Sequence, residues 1–461
     1  METLSEYLSN YVEKINLSNI SDEVKHVIKQ FILDTLACIF YGFSSSSASI
    51  VRRFSLESLT KEEATIIGIN KKSSCANAIL ANGVALRQSE YMDYLAIPIS
   101  DFVSLIHPSE IIPVALAISE RENSSGEDFL LSVFIGYELS GRFCASIRSS
   151  SISTKGFHFS TFNYLILPLV IGKLLKMDFE ELVNALGVSA CQATLGIIDA
   201  EGEEYSMVKN IASPISAQIA LVATSLAKYG FTGSRRVLEG EKGFIKSILR
   251  EEVDLNELLK GRNKPWILET RLKPYPVCGA ALGIADAAVN LARKYQINPL
   301  EIESILVRTN KRSVKHVGDP VKRYPKNKET ADHSAPFIIA LAFLKGDVKF
   351  EYFKEELYSN PEVIKIIDKV KLEISPELDD PKIYPAAEVE VKTKDGSKYI
   401  HKTIYHKGHP KNRMSDKEIE EKFLSASLNK LGEDRAKEVI KAVYKLDRIK
   451  NISEFTELLR V

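Results

Sequence analysis

The sequence predicts a mainly α-helical fold, with a large all-helical domain formed by both chain ends and a smaller α+β domain inserted between them. At 461 residues the chain exceeds the roughly 250–300 residues that one hydrophobic core usually supports. Helical spacing of apolar residues dominates about the first 260 residues, and strand-like alternation is confined to a later stretch. We place the all-helical domain at residues 1–265 and 412–461 and the α+β domain at residues 266–411.

The helices of the first part are predicted from apolar spacing and from capping residues. Leu4, Leu8, Tyr11 and Ile15 recur at helical intervals, and Ser21 precedes an acidic first turn, as an N-cap does. Further helices are expected at Ile111–Ser119, Phe129–Gly141, Leu165–Leu175, Glu180–Gln192 and Ile215–Tyr229. No strand signal of comparable strength precedes about residue 300.

The α+β domain is predicted from alternating apolar and polar residues. Strands are expected at Ile302–Thr309 and at residues 387–393, and Lys394–Ser397 has the composition of a hairpin turn before a strand at Tyr399–Tyr405. Helices are expected in the same region at Gly279–Tyr295 and Ser334–Leu344. After Pro410 the chain returns to amphipathic helices that can pack back on the first domain: Ser415–Leu424 and Asp434–Tyr444.

Charge and cysteine content exclude several classes of protein. Lys plus Arg and Asp plus Glu number 61 each, so no global field attracts nucleic acid or a membrane surface, and an anionic ligand requires a local cluster of cations. The five cysteines form no CxxC pair, which argues against a disulfide framework or zinc knuckle and favours a cytoplasmic protein. We expect no signal peptide, because Met1–Ile15 is acidic and lacks a basic region followed by an apolar run. We also expect no membrane span, because the longest apolar stretch, Tyr164–Gly172, is short and contains Pro168.

Common cofactor and hydrolase motifs are absent from the sequence. It contains no GxGxxG after a strand, no GxxxxGK[ST], no GxSxG and no HExxH, so nucleotide-binding, serine-hydrolase and zincin functions lose their usual support. His406 and His409 have HxxH spacing, but they lie in a turn without a nearby acidic third ligand. We therefore expect no metal at that site.

A dense polar cluster on an apolar background suggests a site of proton transfer, and it comprises Arg87, Ser89, Glu90, Asp93 and His107. A proline directly after His107 predicts a helix start there, and the positive end of a helix lowers the pKa of an imidazole and attracts anions. The structural alternative is a capping residue among solvated charges.

Several later residues have both a functional and a structural interpretation. His158 lies in a loop before an apolar helix, where a packed core histidine is the commoner case, and Lys209 enters a small-residue segment from which its ammonium group can reach water. Cys278 precedes a small-residue helix whose N-terminus can lower a thiol pKa, although buried structural cysteines are more frequent. Asp332-His333-Ser334 fits a helix cap and a functional site equally well.

Taken together, these segments resemble the MmgE/PrpD family, which includes 2-methylcitrate dehydratase and cis-aconitate decarboxylase. The resemblance extends over nearly the whole chain, and its motifs occur in the family's order. The matching segments are Asp34–Ala37, Asn82-Gly83, Arg87–Tyr94, His107-Pro-Ser, Gly156–His158, Ser206–Lys209, Glu329–Ser334, Lys407–Asn412 and Met414–Asp416 with Lys422-Phe423.

The resemblance implies a lyase that works without a metal or organic cofactor, binds a small polycarboxylate and forms a homodimer. By position it places His107, His158 and Lys209 on active-site residues of the decarboxylase branch and Arg87 on an arginine typical of the dehydratases. We expect His107, His158, Lys209 and Asp93 to be catalytic, with the carboxylate of Asp93 or Glu90 orienting an imidazole. We expect Arg87, Glu90, Tyr94, Lys273 and Cys278 to bind the substrate, whose carboxylates Arg87, Lys209 and Lys273 would hold. The expected reaction is dehydration of 2-methylcitrate or a related tricarboxylate, with the two histidines as acid and base and the cations holding carboxylates.

The sequence also departs from the family pattern. Glu90 stands where the family usually has Asp, Tyr94 where it usually has Thr, and Cys278 at a position that is His in the decarboxylases. Ala280–Leu282 replaces a histidine found in several relatives. Decarboxylation or epimerisation of a related polycarboxylate, and polycarboxylate binding without catalysis, therefore remain open as alternatives.

Overall fold

The structure is a computed structural model that describes residues 2–57, 61–193 and 205–461. Most of the secondary structure is α-helical, as predicted. The helices up to residue 274 are α1 (Leu4–Lys14), α2 (Asp22–Gly42), α3 (Ser46–Glu57), α4 (Cys75–Gln88), α5 (Ile111–Arg121), α6 (Gly126–Ser146), α7 (Asn163–Leu174), α8 (Phe179–Ala190) and α9 (Ala212–Lys228). Those after it are α10 (Leu282–Tyr295), α11 (Lys311–Val317), α12 (Lys328–Ala331), α13 (Ala335–Lys345), α14 (Glu355–Tyr358), α15 (Pro361–Ile367), α16 (Asp416–Leu431), α17 (Glu433–Tyr444) and α18 (Ser453–Glu457).

The strands form two short hairpins and one four-stranded sheet. Their bounds are β1 (Ala64–Thr65), β2 (Lys72–Ser73), β3 (Leu95–Ile99), β4 (Phe102–Ile106), β5 (Ile302–Thr309), β6 (Val370–Ile374), β7 (Ala387–Thr393) and β8 (Lys398–Thr403). The sheet has the order β6-β5-β7-β8, in which β5 and β6 are parallel and the other neighbours are antiparallel. The hairpins β1–β2 and β3–β4 show that the prediction of an all-helical first part was wrong.

Local sequence signals explain where many elements begin and end. Ser21 accepts a hydrogen bond from the Val24 N–H and caps α2, as predicted, and Ser334 caps α13 in the same way. Strands β5 and β7 have the predicted bounds, and Gly396 takes a positive φ in the turn between β7 and β8. Pro108 occupies the first position of a short 3₁₀ turn that leads into α5, which places His107 at the N-cap.

Buried hydrophobic residues form two clusters. The larger draws on residues 4–272 and 419–459, so that α16 near the C-terminus packs on α2 near the N-terminus. The smaller draws mainly on residues 275–391, where α10 packs on β7, β8 and α13. Within the larger cluster the buried Lys422 ammonium donates to Asp34 Oδ1 at 2.6 Å and to the backbone oxygens of Tyr91 and Lys273. The domain boundaries themselves stay a prediction.

The described helices were also compared with the length and hydropathy of a membrane span. None of them is by itself both long and apolar enough to cross a bilayer. The pair α2 and α3, which meet at 93°, reaches the threshold together by length and composition alone.

Candidate active site

A cavity of about 80 Å³ is lined by residues from both parts of the chain. Because one water molecule needs roughly 10–15 Å³ of such space, the cavity suits a small organic molecule. Its titratable lining residues among those described are Arg87, Glu90, Tyr94, His107, Cys278, Arg312, His316, His333 and Tyr384. Five of the predicted site residues therefore meet here although they lie as far apart as positions 87 and 278.

His107 reaches the cavity from the end of the β3–β4 hairpin. Its Nδ1 lies 2.6 Å from the backbone oxygen of Asp93, and because a carbonyl oxygen only accepts, Nδ1 carries the hydrogen. The lone pair of the neutral ring is then on Nε2. Burial, followed by the nearby charges of Arg87 and Lys273, holds the pKa of His107 well below its usual range. The predicted lowering is thus present, but burial is its main cause. His107 is a neutral imidazole poised to accept a proton.

Asp93, predicted as a catalytic residue, does not present its carboxylate to the described part of the cavity lining. Its Oδ2 accepts from the Tyr137 hydroxyl at 2.6 Å, and its Oδ1 accepts from the Ser109 N–H at 3.1 Å. Burial raises the pKa of this carboxyl to about 7. Asp93 orients His107 through its backbone carbonyl, which corrects the expectation that a carboxylate does so.

Glu90 is the centre of a buried ion cluster. Its Oε2 lies 2.7 Å from Lys209 Nζ, its Oε1 lies 2.7 Å from Lys273 Nζ, and Lys273 also donates to its backbone oxygen. Burial raises the pKa of Glu90, but the two ammonium groups, with His333 and Arg87, outweigh it and hold the pKa well below the usual range. Lys209 and Lys273 were predicted to grip substrate directly, whereas they lie behind Glu90 and fix its carboxylate. The backbone of Glu90 has φ 51°, a strained conformation for a side chain of this size.

Arg87 projects from the last turn of α4 and is almost fully buried. Its Nη1 lies 3.3 Å from Glu110 Oε1, and Glu110 in turn accepts a hydrogen bond from Ser213 at 2.5 Å. The guanidinium also lies 5.1 Å from the centre of the Phe159 ring. These contacts hold a cation at the cavity wall, consistent with the predicted carboxylate-binding role.

His158, predicted as one of two catalytic histidines, is fully buried and is not among the described lining residues. Its Nδ1 accepts from the Ser160 N–H at 3.1 Å, so it caps the short helix that precedes α7. Its ring packs on Phe159 at a centroid distance of 3.8 Å, and His107 contacts the same ring at 4.9 Å. The described geometry therefore connects the two imidazoles through Phe159.

Tyr94, which stands where the family usually has Thr, lines the cavity with its ring. Its hydroxyl lies 2.9 Å from His406 Nε2, while His406 Nδ1 lies 2.6 Å from the Lys407 backbone oxygen. Since that carbonyl only accepts, Nε2 is the acceptor and the Tyr94 hydroxyl is the donor. His406, considered above as part of an HxxH pair, thus holds Tyr94 in place, and burial lowers its pKa to about 3.

The later part of the chain contributes Cys278, Arg312, His316 and His333 to the lining. Burial raises the pKa of the Cys278 thiol, but His333 and His316 outweigh it and hold the pKa well below its usual range. His333 Nδ1 donates to Asp332 Oδ1. Burial and Lys209 lower the pKa of His333, whereas Cys278 and Asp332 raise it more, to about 9.

Arg312 and His316 were not predicted as site residues, and His333 was left undecided. The first two lie on the seven-residue helix α11, whose other cations, Lys311 and Lys315, give it the composition of a solvated surface helix. The sequence signals that pointed to this side were Cys278 and the undecided motif at Asp332-His333. Its pairing with Cys278 depends on the fold.

Two sets of side chains approach closely enough to offer ligands to one ion. Their donor atoms lie within 4.8 Å of one another in Cys278, His316 and His333 and in Glu90, Asp332 and His333. In the second set Glu90 already binds two lysines, and Asp332 binds His333 and Lys328. In the first set the thiol and the imidazoles hydrogen-bond to one another. We assign no metal ligand among them.

Comparison with known proteins assigns the chain to a family. Residues 6–255 match the MmgE/PrpD N-terminal domain, and residues 275–448 match the MmgE/PrpD C-terminal domain. The chain is 24% identical to cis-aconitate decarboxylase of Mus musculus, with 100% of this chain and 94% of that protein aligned. It is 25% identical to cis-aconitate decarboxylase of Aspergillus terreus, with 98% and 95% aligned. The chain therefore belongs to the MmgE/PrpD family.

Proposed function

We propose that this protein is a lyase that dehydrates a small tricarboxylic acid, with 2-methylcitrate as the expected substrate. The observation that carries the proposal is a small cavity in which a neutral His107 faces the cations Arg87, Arg312 and His333. Counting Lys209, Lys273 and Lys328 behind the wall, cationic groups outnumber the anionic groups Glu90, Glu110, Asp332 and Cys278. Such a site favours a ligand with several carboxylates.

The dehydration requires a base, an acid and a set of cations. The base removes a proton from the carbon next to a carboxylate, and the acid protonates the hydroxyl that leaves the neighbouring carbon. Arg87 can bind one carboxylate through two parallel hydrogen bonds, and Arg312 can bind another. Their positive charge also stabilises the enolate-like charge that develops as the proton leaves. The proposed chemistry needs no metal ion.

His107 is the proposed base because its Nε2 is the unprotonated nitrogen. Its pKa is depressed by burial and by the charges of Arg87 and Lys273. A bound polycarboxylate brings negative charge next to those cations and raises the pKa of the imidazole towards its ordinary value. The substrate thus strengthens the base that acts on it.

The remaining predicted residues have supporting roles in this proposal. Lys209 and Lys273 keep Glu90 ionised and immobile, and the Glu90 carboxylate faces the cavity between them. His158 positions the Phe159 ring on which His107 and Arg87 rest. Tyr94 and Cys278 shape the wall that contacts substrate.

Decarboxylation of cis-aconitate is the second candidate, because the relatives named above are cis-aconitate decarboxylases. The same cations and base serve both reactions. The sequence resemblance favours dehydration, since Cys278 replaces the histidine of the decarboxylases. If neither reaction occurs, the remaining alternatives are that the protein epimerises a related polycarboxylate or binds one without turnover.

The test is incubation of the purified protein with 2-methylcitrate, citrate and cis-aconitate, each followed by proton NMR. We expect an alkene signal from 2-methylcitrate. His107→Gln removes the base and is expected to reduce kcat by about 10²–10⁴-fold, the usual contribution of a positioned acid or base. Formation of a decarboxylated product from cis-aconitate alone would replace the dehydratase proposal, and ligand-induced stabilisation without any product would indicate a binding protein.

We also propose that the protein is a homodimer. Support comes from apolar side chains on one side of α9 and the segment after it, where Val222, Leu226, Tyr229 and Phe231 are exposed by 41–90%. The double substitution Val222→Glu and Leu226→Glu places charges there and is expected to halve the mass measured by light scattering. A wild-type monomer, or a dimer unaffected by these charges, would contradict the proposal. The cytoplasmic location stays a prediction from the cysteine pattern.

A further inference from the structure

The cavity contains a feature that a binding site for anions does not need, a cysteine enclosed by imidazoles. The sulfur of Cys278 and ring nitrogens of His316 and His333 lie within 4.8 Å of one another. A thiolate here repels carboxylates, so its presence in a polycarboxylate site calls for a chemical role. Both rings line the cavity, and His333 is the one whose other ring nitrogen donates to a carboxylate, that of Asp332.

His333 is held rigidly between Asp332 and Cys278. Its Nδ1 donates to Asp332 Oδ1, which leaves Nε2 as the nitrogen available to the thiol and to a ligand. Asp332 Oδ2 in turn binds Lys328 at 2.7 Å. The Cys278 N–H donates to the Asp332 backbone oxygen at 2.9 Å, so the two segments are joined directly. A sulfur, an imidazole and an orienting carboxylate in this order form an activated acid–base unit.

The charges around His333 favour its protonated form. Cys278 and Asp332 raise its pKa to about 9 against the opposing effects of burial and Lys209. A carboxylate oxygen of Glu90 lies within 4.8 Å of a nitrogen of the same ring. The His316 ring contacts the His333 ring edge-on at a centroid distance of 5.7 Å, and the Tyr205 ring packs on it at 4.4 Å. At neutral pH His333 is then an imidazolium, whereas His107 in the same cavity is a neutral imidazole.

We propose that His333, held between Cys278 and Asp332, is the general acid of this site and acts together with His107 as the base. The inference rests on the proposed lyase function and adds the second proton-transfer residue to it. His107 Nε2 takes the proton from carbon, and the electrons of that C–H bond form the new C=C bond. The C–O bond breaks, its oxygen keeps the electron pair, and the proton from His333 completes a water molecule. Proton exchange with solvent restores both rings.

The first arm of the test detects the thiolate and needs no substrate. The far-ultraviolet thiolate absorbance of wild type minus Cys278→Ser is measured against pH in chelator-treated protein. An ordinary thiol has a pKa of about 8.5, so thiolate absorbance persisting at about pH 6 is the expected result. His333→Gln should move the midpoint upward by at least one pH unit. The matched control is Cys144→Ala, because burial raises the pKa of that thiol to about 12 and no difference is expected in this range.

The second arm measures kinetics on the substrate that the NMR assay identifies. His333→Gln is expected to lower kcat by about 10²-fold or more with little change in KM. Cys278→Ser keeps His333 but removes the thiolate that raises its pKa. The alkaline limb of the pH profile of kcat should therefore shift to lower pH. A purely structural role for Cys278 would lower stability without moving that limb.

The two arms separate this inference from the function on which it rests. Absence of a thiolate at about pH 6, disappearance of its absorbance on chelation, or wild-type kcat in His333→Gln overturns the role of His333 and leaves the lyase proposal intact. A wild-type protein that turns over none of the three acids overturns the lyase proposal, and with it the role of His333 as an acid. The thiolate absorbance would then show only whether Cys278 and His333 form an ion pair.

Discussion

The two sides of the cavity differ in how their charges are held. The side whose lining residues come before position 266 has Glu90 fixed between Lys209 and Lys273, the second of which comes from the later part of the chain, and Arg87 beside Glu110. The side formed by residues after 266 has Cys278 and His333, whose protonation states depend on each other. The difference teaches that a single small site can combine a preset electrostatic frame with a unit that exchanges protons.

This division suits the two tasks that the proposed reaction gives to the site. A frame that binds carboxylates must keep its charge at every working pH, and a low carboxyl pKa between two ammonium groups ensures this for Glu90. A proton donor must change its charge in each turnover. The predictions that follow perturb the fixed side, from the larger expected effect to the smaller.

The largest effect is expected from Glu90→Gln. The substitution leaves the Lys209 and Lys273 ammonium groups buried beside a neutral amide, and removing one partner of a buried ion pair typically costs about 3–5 kcal/mol. We expect a loss of this size in the free energy of unfolding, measured by urea denaturation near pH 7. The effect should diminish below the pH at which Glu90 itself is protonated in the unfolded state, since the stabilisation by an ion pair of this kind is lost as the pH falls.

The matched control is an ion pair on the surface. Glu57 lies one helical turn after Arg53 in α3, and the two exposed side chains form an ion pair at 2.7 Å. Glu57→Gln should change the unfolding free energy by no more than about 0.5 kcal/mol. Equal effects of the two substitutions would mean that the Glu90 cluster is not a stabilising frame.

The sequence predicted much of the fold because periodicity is a local property. The bounds of β5 and β7 follow directly from alternating residues, and helix α6 from its apolar spacing. The two hairpins of the first part were missed for physical reasons. Strands β1 and β2 have two residues each, too few to show a period, and β3 contains Pro98, which argues against a strand.

The site was predictable only where its residues lie close together in the chain. Arg87, Glu90 and His107 stand out as polar residues on an apolar background, and all three line the cavity. The pairing of Glu90 with Lys209 and Lys273 connects residues 119 and 183 positions apart, which no local pattern records. For the same reason the sequence suggested that these lysines grip substrate, whereas the fold uses them to hold a carboxylate.

A smaller effect, of opposite sign, is expected from Asp93→Asn. The native carboxyl keeps its proton up to about pH 7, whereas in the unfolded chain it loses the proton near pH 4. Because the native state binds the extra proton in this window, wild-type stability falls as the pH rises from about 4 to 7, and the full cost remains above pH 7. The neutral amide avoids that cost. We therefore expect the variant to be more stable than wild type by about 2 kcal/mol at pH 8, roughly half of what the pKa difference alone implies.

The same variant separates the two roles considered for Asp93. Only its backbone oxygen touches His107, so kcat should stay within a few-fold of wild type, whereas a catalytic carboxylate would make the loss 10²-fold or more. The gain in unfolding free energy should vanish at about pH 3, where the wild-type carboxyl is neutral in both the native and the unfolded state. Asp434→Asn on the exposed face of α17 should change stability equally at both pH values, by less than about 0.5 kcal/mol. A large loss of kcat with an unchanged fold would return Asp93 to the catalytic machinery and make the first side of the cavity a proton-exchanging one as well.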